Sequence, residues 1–202
     1  MKKIFYVVFL SSALLMAVLS APLYSMDLGL FCNFSGGSGS AEDYDSGESE
    51  DQSSSGYGFG LIATGHFANN SIINRFMFTY DYREVEIDAW GSYQEFYIDS
   101  NSVYDTIGFV VHSTKTSEIW MGPRLGLSGS EATDYYDYEY EDGGGLSLGI
   151  VSGVDVLLNE NVVLGAEAGL IYGVIFFEDE VGSGADIYTL EGYLGLSLML
   201  RI

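Results

Sequence analysis

From Leu146 to Val156 apolar and small residues take turns. Leu146, Leu148, Ile150, Val154 and Val156 share one parity, and Ser147, Gly149, Gly153 and Asp155 share the other. The pattern resumes after Asn159-Glu160-Asn161, with Val162, Leu164, Ala166, Ala168, Leu170, Tyr172 and Val174 against Gly165, Glu167, Gly169 and Gly173. It returns at the end of the chain, where Leu190, Leu194, Leu196, Leu198, Leu200 and Ile202 oppose Glu191, Gly195, Ser197 and Arg201. A period of two belongs to an extended strand, whose successive side chains point to opposite faces, whereas a helix repeats every 3.6 residues. The alternation therefore predicts an all-β chain. Beyond Ala21 no stretch approaches the roughly 20 apolar residues a membrane-crossing helix needs.

Weaker versions come earlier. Leu28, Leu30, Cys32 and Phe34 alternate with Gly29 and Asn33; Phe59, Leu61, Ala63 and Phe67 with Gly58, Gly60, Thr64 and His66. Phe76, Phe78, Tyr80 and Tyr82 alternate with Arg75, Thr79, Asp81 and Arg83; Ile107, Phe109 and Val111 with Thr106, Gly108 and His112. Ile119, Met121, Leu125 and Leu127 alternate with Trp120, Gly122, Arg124 and Gly126, with Pro123 on the apolar side. This makes eight strands. Short connections at Ala68–Ser71, Thr114–Ser117 and Asn159–Asn161 alternate with long ones at Ser35–Ser55, Ala89–Ser100, Gly129–Gly143 and Phe177–Ala185. In an antiparallel meander all short turns then lie at one end and all long loops at the other, as in outer-membrane barrels. The expected architecture is an eight-stranded antiparallel up-and-down transmembrane β-barrel. Closure supplies every backbone group with a partner, which hydrocarbon cannot. The apolar face is expected to meet lipid, and the Gly, Ser and charged face to fill the lumen. A soluble barrel needs the reverse arrangement, and the small-residue face carries too few charges to solvate its exterior.

The N-terminus carries its own address. Lys2 and Lys3 precede a nearly unbroken apolar run from Ile4 to Ala21, Pro22 breaks it, and small residues follow. This reads as a secretory signal peptide over residues 1–25, with the barrel at 26–202. The chain holds 29 acidic residues against 7 basic ones, two of which lie in the leader. Such an excess of negative charge disfavours nucleic acid as a partner. The single cysteine, Cys32, cannot form an internal disulfide.

Three segments carry a family resemblance: Trp120-Met-Gly-Pro-Arg-Leu-Gly-Leu127, Leu148-Gly-Ile-Val-Ser-Gly-Val-Asp-Val156 and Asn161-Val-Val-Leu-Gly-Ala-Glu-Ala-Gly169. Together they resemble small outer-membrane β-barrel proteins of the OmpA, OmpX and opacity-protein type, over essentially all of the chain after the leader. The resemblance implies a bacterial outer-membrane location. Such barrels usually end on an aromatic residue, where this chain ends on Ile202.

Two groups of residues are candidates for function. The strand parities turn Arg75, Asp81, Arg83, Arg124, Asp155, Glu167, Glu191 and Arg201 into the lumen, four positive against four negative. Charges in a low-dielectric interior must pair. An eight-stranded interior is just wide enough for side chains to fill it, so a polar plug is expected rather than an ion path. The second group is a surface contact loop, Tyr135, Tyr136, Asp137, Tyr138, Glu139 and Tyr140, within the acidic stretch from Asp134 to Asp142. Interleaved acid and tyrosine suggest contact with a cationic surface partner, or with lipopolysaccharide bridged by divalent ions.

The expected role is thus structural or surface contact by a monomeric barrel among outer-membrane lipid and lipopolysaccharide. A narrow, porin-like channel is the alternative, and a lipid-modifying enzyme a more distant one. His66 and His112, the only histidines, sit at strand ends near short turns, away from the long loops where such an enzyme would meet substrate. Two His and one Cys also fall short of a zinc site. No cofactor is expected. Gly36-Gly37-Ser38-Gly39, Gly56-Tyr57-Gly58-Phe59-Gly60 and Gly143-Gly144-Gly145 lack the following helix and Lys-Ser/Thr of a phosphate loop. The acidic loops do not fit the spacing of an EF-hand, so weak screening by divalent cations is the most they imply.

Overall fold

A computed structural model describes residues 25–43, 49–67, 71–89, 92–134, 139–178 and 184–202. The expected leader lies outside them, apart from Ser25. Eight strands follow one another: β1 Ser25–Asp43, β2 Ser49–Phe67, β3 Ile72–Ala89, β4 Ser92–Ser113, β5 Ser117–Asp134, β6 Glu139–Leu157, β7 Val162–Glu178 and β8 Gly184–Arg201. Each pairs antiparallel with its neighbours, and β1 pairs with β8 from Asp27↔Arg201 to Asp43↔Ala185, closing the barrel. Among the described residues the fold is all-β.

Side chains stop the strands at the end where β1 begins and β8 ends, called the turn end below. Thr114 Oγ1 accepts from the amides of Thr116 at 3.2 Å and Ser117 at 3.0 Å. Asn159 Oδ1 does the same for Asn161 at 2.9 Å and Val162 at 3.0 Å. Short polar side chains of this kind satisfy backbone donors that a tight turn exposes.

At the far end the structure corrects the sequence reading. The segments expected as long loops are largely strand. β1 and β2 stay paired up to Glu42↔Ser49, β3 and β4 to Ala89↔Ser92, β5 and β6 to Thr133↔Glu139, and β7 and β8 to Glu178↔Gly184. The strands run from 17 residues in β7 to 22 in β4. Crossing a bilayer takes about 9–11, so the barrel wall continues well past the span.

The sense of the alternation changes along the way. In β3 the outward row reads Ile72, Asn74, Phe76, Phe78, Tyr80, Tyr82 and then Glu84, Glu86. The inward row reads Ile73, Arg75, Met77, Thr79, Asp81, Arg83 and then Val85, Ile87. Below Tyr82 the wall is apolar outside, as lipid requires, except near the turn end where Asn74 donates to Asp105 of β4 at 2.6 Å; above it the wall is apolar inside, as water requires. The inward residues of the upper part, Val85, Ile87, Ile98, Ala132, Ile175, Phe177 and Ile187, form a core of their own.

The lower exterior is an exposed apolar belt, including Leu30, Phe34, Leu61, Phe109, Leu125, Leu148, Ile150, Leu164, Leu194 and Leu198. Aromatic residues rim its upper edge. The Tyr57 and Tyr82 rings stand 5.3 Å apart, Phe59 and Tyr80 5.6 Å, and Tyr82 and Tyr97 are stacked at 6.0 Å. An apolar band edged by aromatics is what a membrane-spanning barrel presents to lipid and its interface.

Placing Arg at Leu148 or Leu164 is expected to cost about 2–4 kcal/mol in a bilayer, read from urea unfolding in lipid vesicles. Glu131→Arg, outward-facing but above the belt, should leave the unfolding midpoint almost unchanged. Gly149→Leu should prevent folding, because even a Cβ there would lie 2.6 Å from the Leu170 carbonyl oxygen.

Candidate functional site

The lumen is packed in layers. Lowest, at the turn end, Asp27 accepts from Arg201 Nε at 2.8 Å and Nη2 at 3.0 Å. His66 Nε2 lies 3.1 Å from Asp27 Oδ2, and His66 Nδ1 lies 3.5 Å from Glu118 Oε2. β1, β2, β5 and β8 each bring one of these side chains to the same mouth.

Above them lies the central network. Arg75 donates from Nη2 to Asp155 Oδ2 at 2.6 Å and from Nη1 to Glu167 Oε2 at 2.9 Å. Its Nε donates to Thr64 at 3.2 Å. Arg124 donates from Nη2 to the other oxygen of Glu167 at 2.7 Å, from Nε to Thr106 at 2.7 Å and from Nη1 to the Tyr193 hydroxyl at 2.5 Å. Tyr193 in turn donates to Glu167 Oε1 at 2.7 Å, and Trp120 Nε1 to Asp155 Oδ2 at 3.0 Å. Arg75 sits 4.5 Å over the Trp120 ring and Arg124 4.9 Å over the Tyr193 ring. The planar guanidinium, with its fixed fork of donors and its stacking faces, suits this chain of contacts better than a lysine ammonium would.

A third layer follows. Arg83 Nη2 pairs with Glu191 Oε2 at 3.1 Å, and Ser54 donates to Glu191 Oε1 at 3.1 Å. Asp81 accepts from Thr79 at 2.7 Å and Asn33 at 3.2 Å. Small cavities of about 30 and 50 Å³ flank these groups. The apolar core of the upper barrel closes the lumen above.

All eight charges assigned to the lumen from strand parity are therefore inside, in three groups rather than one network: Arg201 at the mouth, Arg75, Arg124, Asp155 and Glu167 in the middle, and Asp81, Arg83 and Glu191 above. The expectation that Gly, Ser and charge alone fill the lumen is corrected. Phe31, Ile62, Ile73, Met77, Trp120, Val151, Val163, Tyr193 and Met199 form a buried cluster between the polar groups. Three charged or titratable members were missed as a set. Asp27 and Glu118 fell one residue outside the strand limits inferred from apolar residues. His66 was assigned the inward parity, without its partners. His112 departs from its expected side because the β4–β5 register shifts between Val110 and His112, and its side chain is exposed.

The expected contact loop is divided. Tyr135, Tyr136, Asp137 and Tyr138 lie outside the described residues. Glu139 and Tyr140 belong to strand β6, opposite Thr133 and Ala132. Glu84, Glu86 and Glu95, which sequence reading did not single out, stand on the upper exterior with carboxylate oxygens within 4.8 Å of one another. The hydrogen bond that Glu84 shares with Glu95, with their mutual repulsion, raises the Glu84 carboxyl above its ordinary value.

An apolar belt, an aromatic rim, a closed antiparallel wall and an ion-paired plug define a membrane-type β-barrel with a filled lumen. No family model and no curated protein matches the chain. Solved structures do match. The outer membrane protein OprG from Pseudomonas aeruginosa superposes with a TM-score of 0.51 at 11% identity, over 90% of this chain and 98% of that one. Ail, the attachment invasion locus protein of Yersinia pestis, gives 0.44 at 14% identity, over 88% and 99%. Neisserial surface protein A gives 0.43 at 17% identity, over 87% and 96%. The fold is that of the small eight-stranded outer-membrane barrels.

Removing one partner of a buried pair leaves a charge without compensation. Arg75→Ala strips both Asp155 and Glu167 of a guanidinium and is expected to destabilise by about 3–5 kcal/mol. Arg124→Ala should cost less, since Glu167 keeps Arg75 and Tyr193. Unfolding midpoints of the two variants in one detergent give the order.

Proposed function

We propose that the protein resides in a bacterial outer membrane, turn end toward the periplasm, and acts through its outer wall rather than through its lumen. The observation that carries this reading is the reversal of the alternation above Tyr82. Strands that end at the membrane surface have no need of a second core. Strands that continue 8 or so residues further hold their outward side chains on a rigid support.

The support displays acid and tyrosine. Tyr82 and Tyr97 stack, Glu84 stands directly opposite Tyr97 and Glu86 opposite Glu95, and Glu131 is exposed on β5. The sequence joining β5 to β6 adds Tyr135, Tyr136, Asp137, Tyr138, Glu139 and Tyr140 to this acidic, Tyr-rich composition. Like charges within a Debye length of about 8 Å repel one another, and a cationic partner relieves that repulsion. Tyrosine adds contact area at little cost in side-chain entropy, and its ring attracts a cation. The role is surface contact with a cationic partner, with lipopolysaccharide bridged by divalent ions as a second ligand of the same surface.

Two features favour this over a channel. Three ion-paired layers and two apolar clusters occupy the lumen, and the cavities between them are large enough for little more than a few waters. Catalysis is also disfavoured, because both nitrogens of His66 face carboxylates rather than a nucleophile.

Proteoliposomes should bind a basic protein with an affinity that falls as salt rises. Changing Tyr82, Tyr97, Tyr135, Tyr136, Tyr138 and Tyr140 to Ser, with every carboxylate kept, should weaken that binding. Equal binding by wild type and variant at every salt concentration reduces the wall to a charged brush. Planar bilayers should give no discrete conductance steps, and regular steps would favour the channel.

A further inference from the structure

Among the described residues, six buried side-chain atoms make no hydrogen bond: Gln52 Oε1, His66 Nδ1, Asn74 Oδ1, Glu118 Oε2, Asp155 Oδ1 and Ser197 Oγ. Four of them lie at the turn end of the lumen. Glu118, Asp155, Gly165 and Ser197 stand directly opposite one another in one row across β5, β6, β7 and β8. Gly165 has no side chain in that row, and its two neighbours crowd over it. A Cβ there would come within 2.3 Å of Ser197 Oγ and 2.6 Å of Asp155 Oδ1. Glu118 and Asp155 also line, with Lys115 and Arg201, a cavity of about 30 Å³ that the Thr114–Ser117 turn borders. Asp155 and His66 are almost wholly buried, with side-chain exposures of 6% and 1%.

His66 is held in a particular way. Its Nε2 faces Asp27 Oδ2 at 3.1 Å, and Asp27 is fixed by two bonds from Arg201. A neutral ring that donates Nε2–H to Asp27 turns its Nδ1 lone pair toward Glu118 Oε2, 3.5 Å away. Two lone pairs facing each other at that distance repel unless a positive ion lies between them. A metal-binding histidine commonly donates its other ring N–H to a carboxylate. Two ligand atoms on a tetrahedral first-row ion, each about 2.0–2.1 Å from it, lie roughly 3.3 Å apart. The charge balance points the same way. Asp27, Glu118, Asp155 and Glu167 outnumber Arg75, Arg124 and Arg201 by one. Each of these guanidiniums is already committed to a carboxylate, and the other cation near this mouth among the described residues, Lys115, is exposed on the turn.

We infer that the turn end of the lumen is a site for a first-row divalent metal ion, with His66 Nδ1 and Glu118 as direct ligands. The unpaired Asp155 Oδ1 and Ser197 Oγ of the same row are the acceptors for the ion's waters. Imidazole with carboxylate suits zinc and its neighbours better than calcium. The ion ties β2 to β5 across the mouth, on the opposite end from the proposed contact wall.

The test uses the chain folded in detergent micelles, with Glu84→Gln and Glu86→Gln introduced so that the outer carboxylates do not bind the probe. Zn²⁺, titrated calorimetrically, should saturate one site. Glu118→Gln should weaken it at least tenfold, and Asp27→Asn by about 10–100-fold. Nitrogen NMR of the unsubstituted chain should show His66 Nδ1 shifting with Zn²⁺ while exposed His112 stays put, a readout that does not depend on any variant folding. The proposal is overturned if no saturable binding occurs, if Glu118→Gln binds as tightly as its parent, or if His66 responds to protons alone. The last result would make the group between His66 and Glu118 an imidazolium proton and nothing more.

Discussion

A strand in hydrocarbon has no solvent to take its N–H and C=O groups, so the pairing of β1 with β8 governs everything else in this barrel. Leaving that seam open would expose a row of unpaired backbone groups at a cost of several kcal/mol each. Closure with eight strands sets the width of the interior. Register then decides what the interior contains, because a slip of one residue would move every side chain to the other face. The seam runs Asp27↔Arg201 through Asp43↔Ala185 without interruption. Arg201 and Asp27, directly opposed, are also bonded to each other inside the lumen, so one pair closes both the backbone and the mouth.

The charges in the lumen follow from the same constraint. A bilayer-facing wall must be mainly apolar outside, so most polar side chains turn inward, where they must satisfy one another; Asn74 and Asp105, on the outer face near the turn end, satisfy each other there. Glu167 does this for two arginines at once, and Asp155 for Arg75 and Trp120. A buried ion pair is not in itself a large source of stability. Its cost when mispaired is large, so these contacts act mainly to select the register. Above the membrane the constraint is lifted, and the wall returns to the arrangement of a water-soluble protein, with Val85, Ile98 and Ile175 inside.

The strand count, the order of pairing and the lipid-facing side chains were legible in the sequence because period-two alternation is strongest where lipid demands it. Leu148, Leu164 and Leu198 illustrate this. The upper strands were not legible for two reasons. Their Ser, Gly, Asp and Glu residues have low strand propensity and mimic a loop. Their alternation also runs in the opposite sense, so Val85 and Ile87 fall on the side that lower down is polar. The apolar layer inside was hidden by the same assumption of one polar face: Ile73, Met77 and Val151 sit among glycines and charges. The central charges could be assigned to the lumen from parity alone, but not to partners, since Arg75 meets Glu167 across 92 positions of sequence. Asp27 and Glu118 were lost because a strand limit drawn at the last apolar residue omits a polar one that still belongs to it.

The central claim is that one continuous wall is embedded below Tyr82 and hydrated above it. Attaching a nitroxide to the native Cys32, which faces outward between Leu30 and Phe34, and to cysteines placed singly at Glu84 and Glu131 in a Cys32→Ser background, reads this directly in lipid vesicles. Relaxation by dissolved oxygen should dominate at Cys32, and relaxation by a water-soluble nickel reagent at Glu84 and Glu131, with all three labels as immobile as strand residues. Oxygen-dominated relaxation at all three positions, or freely tumbling labels at Glu84 and Glu131, would contradict the account.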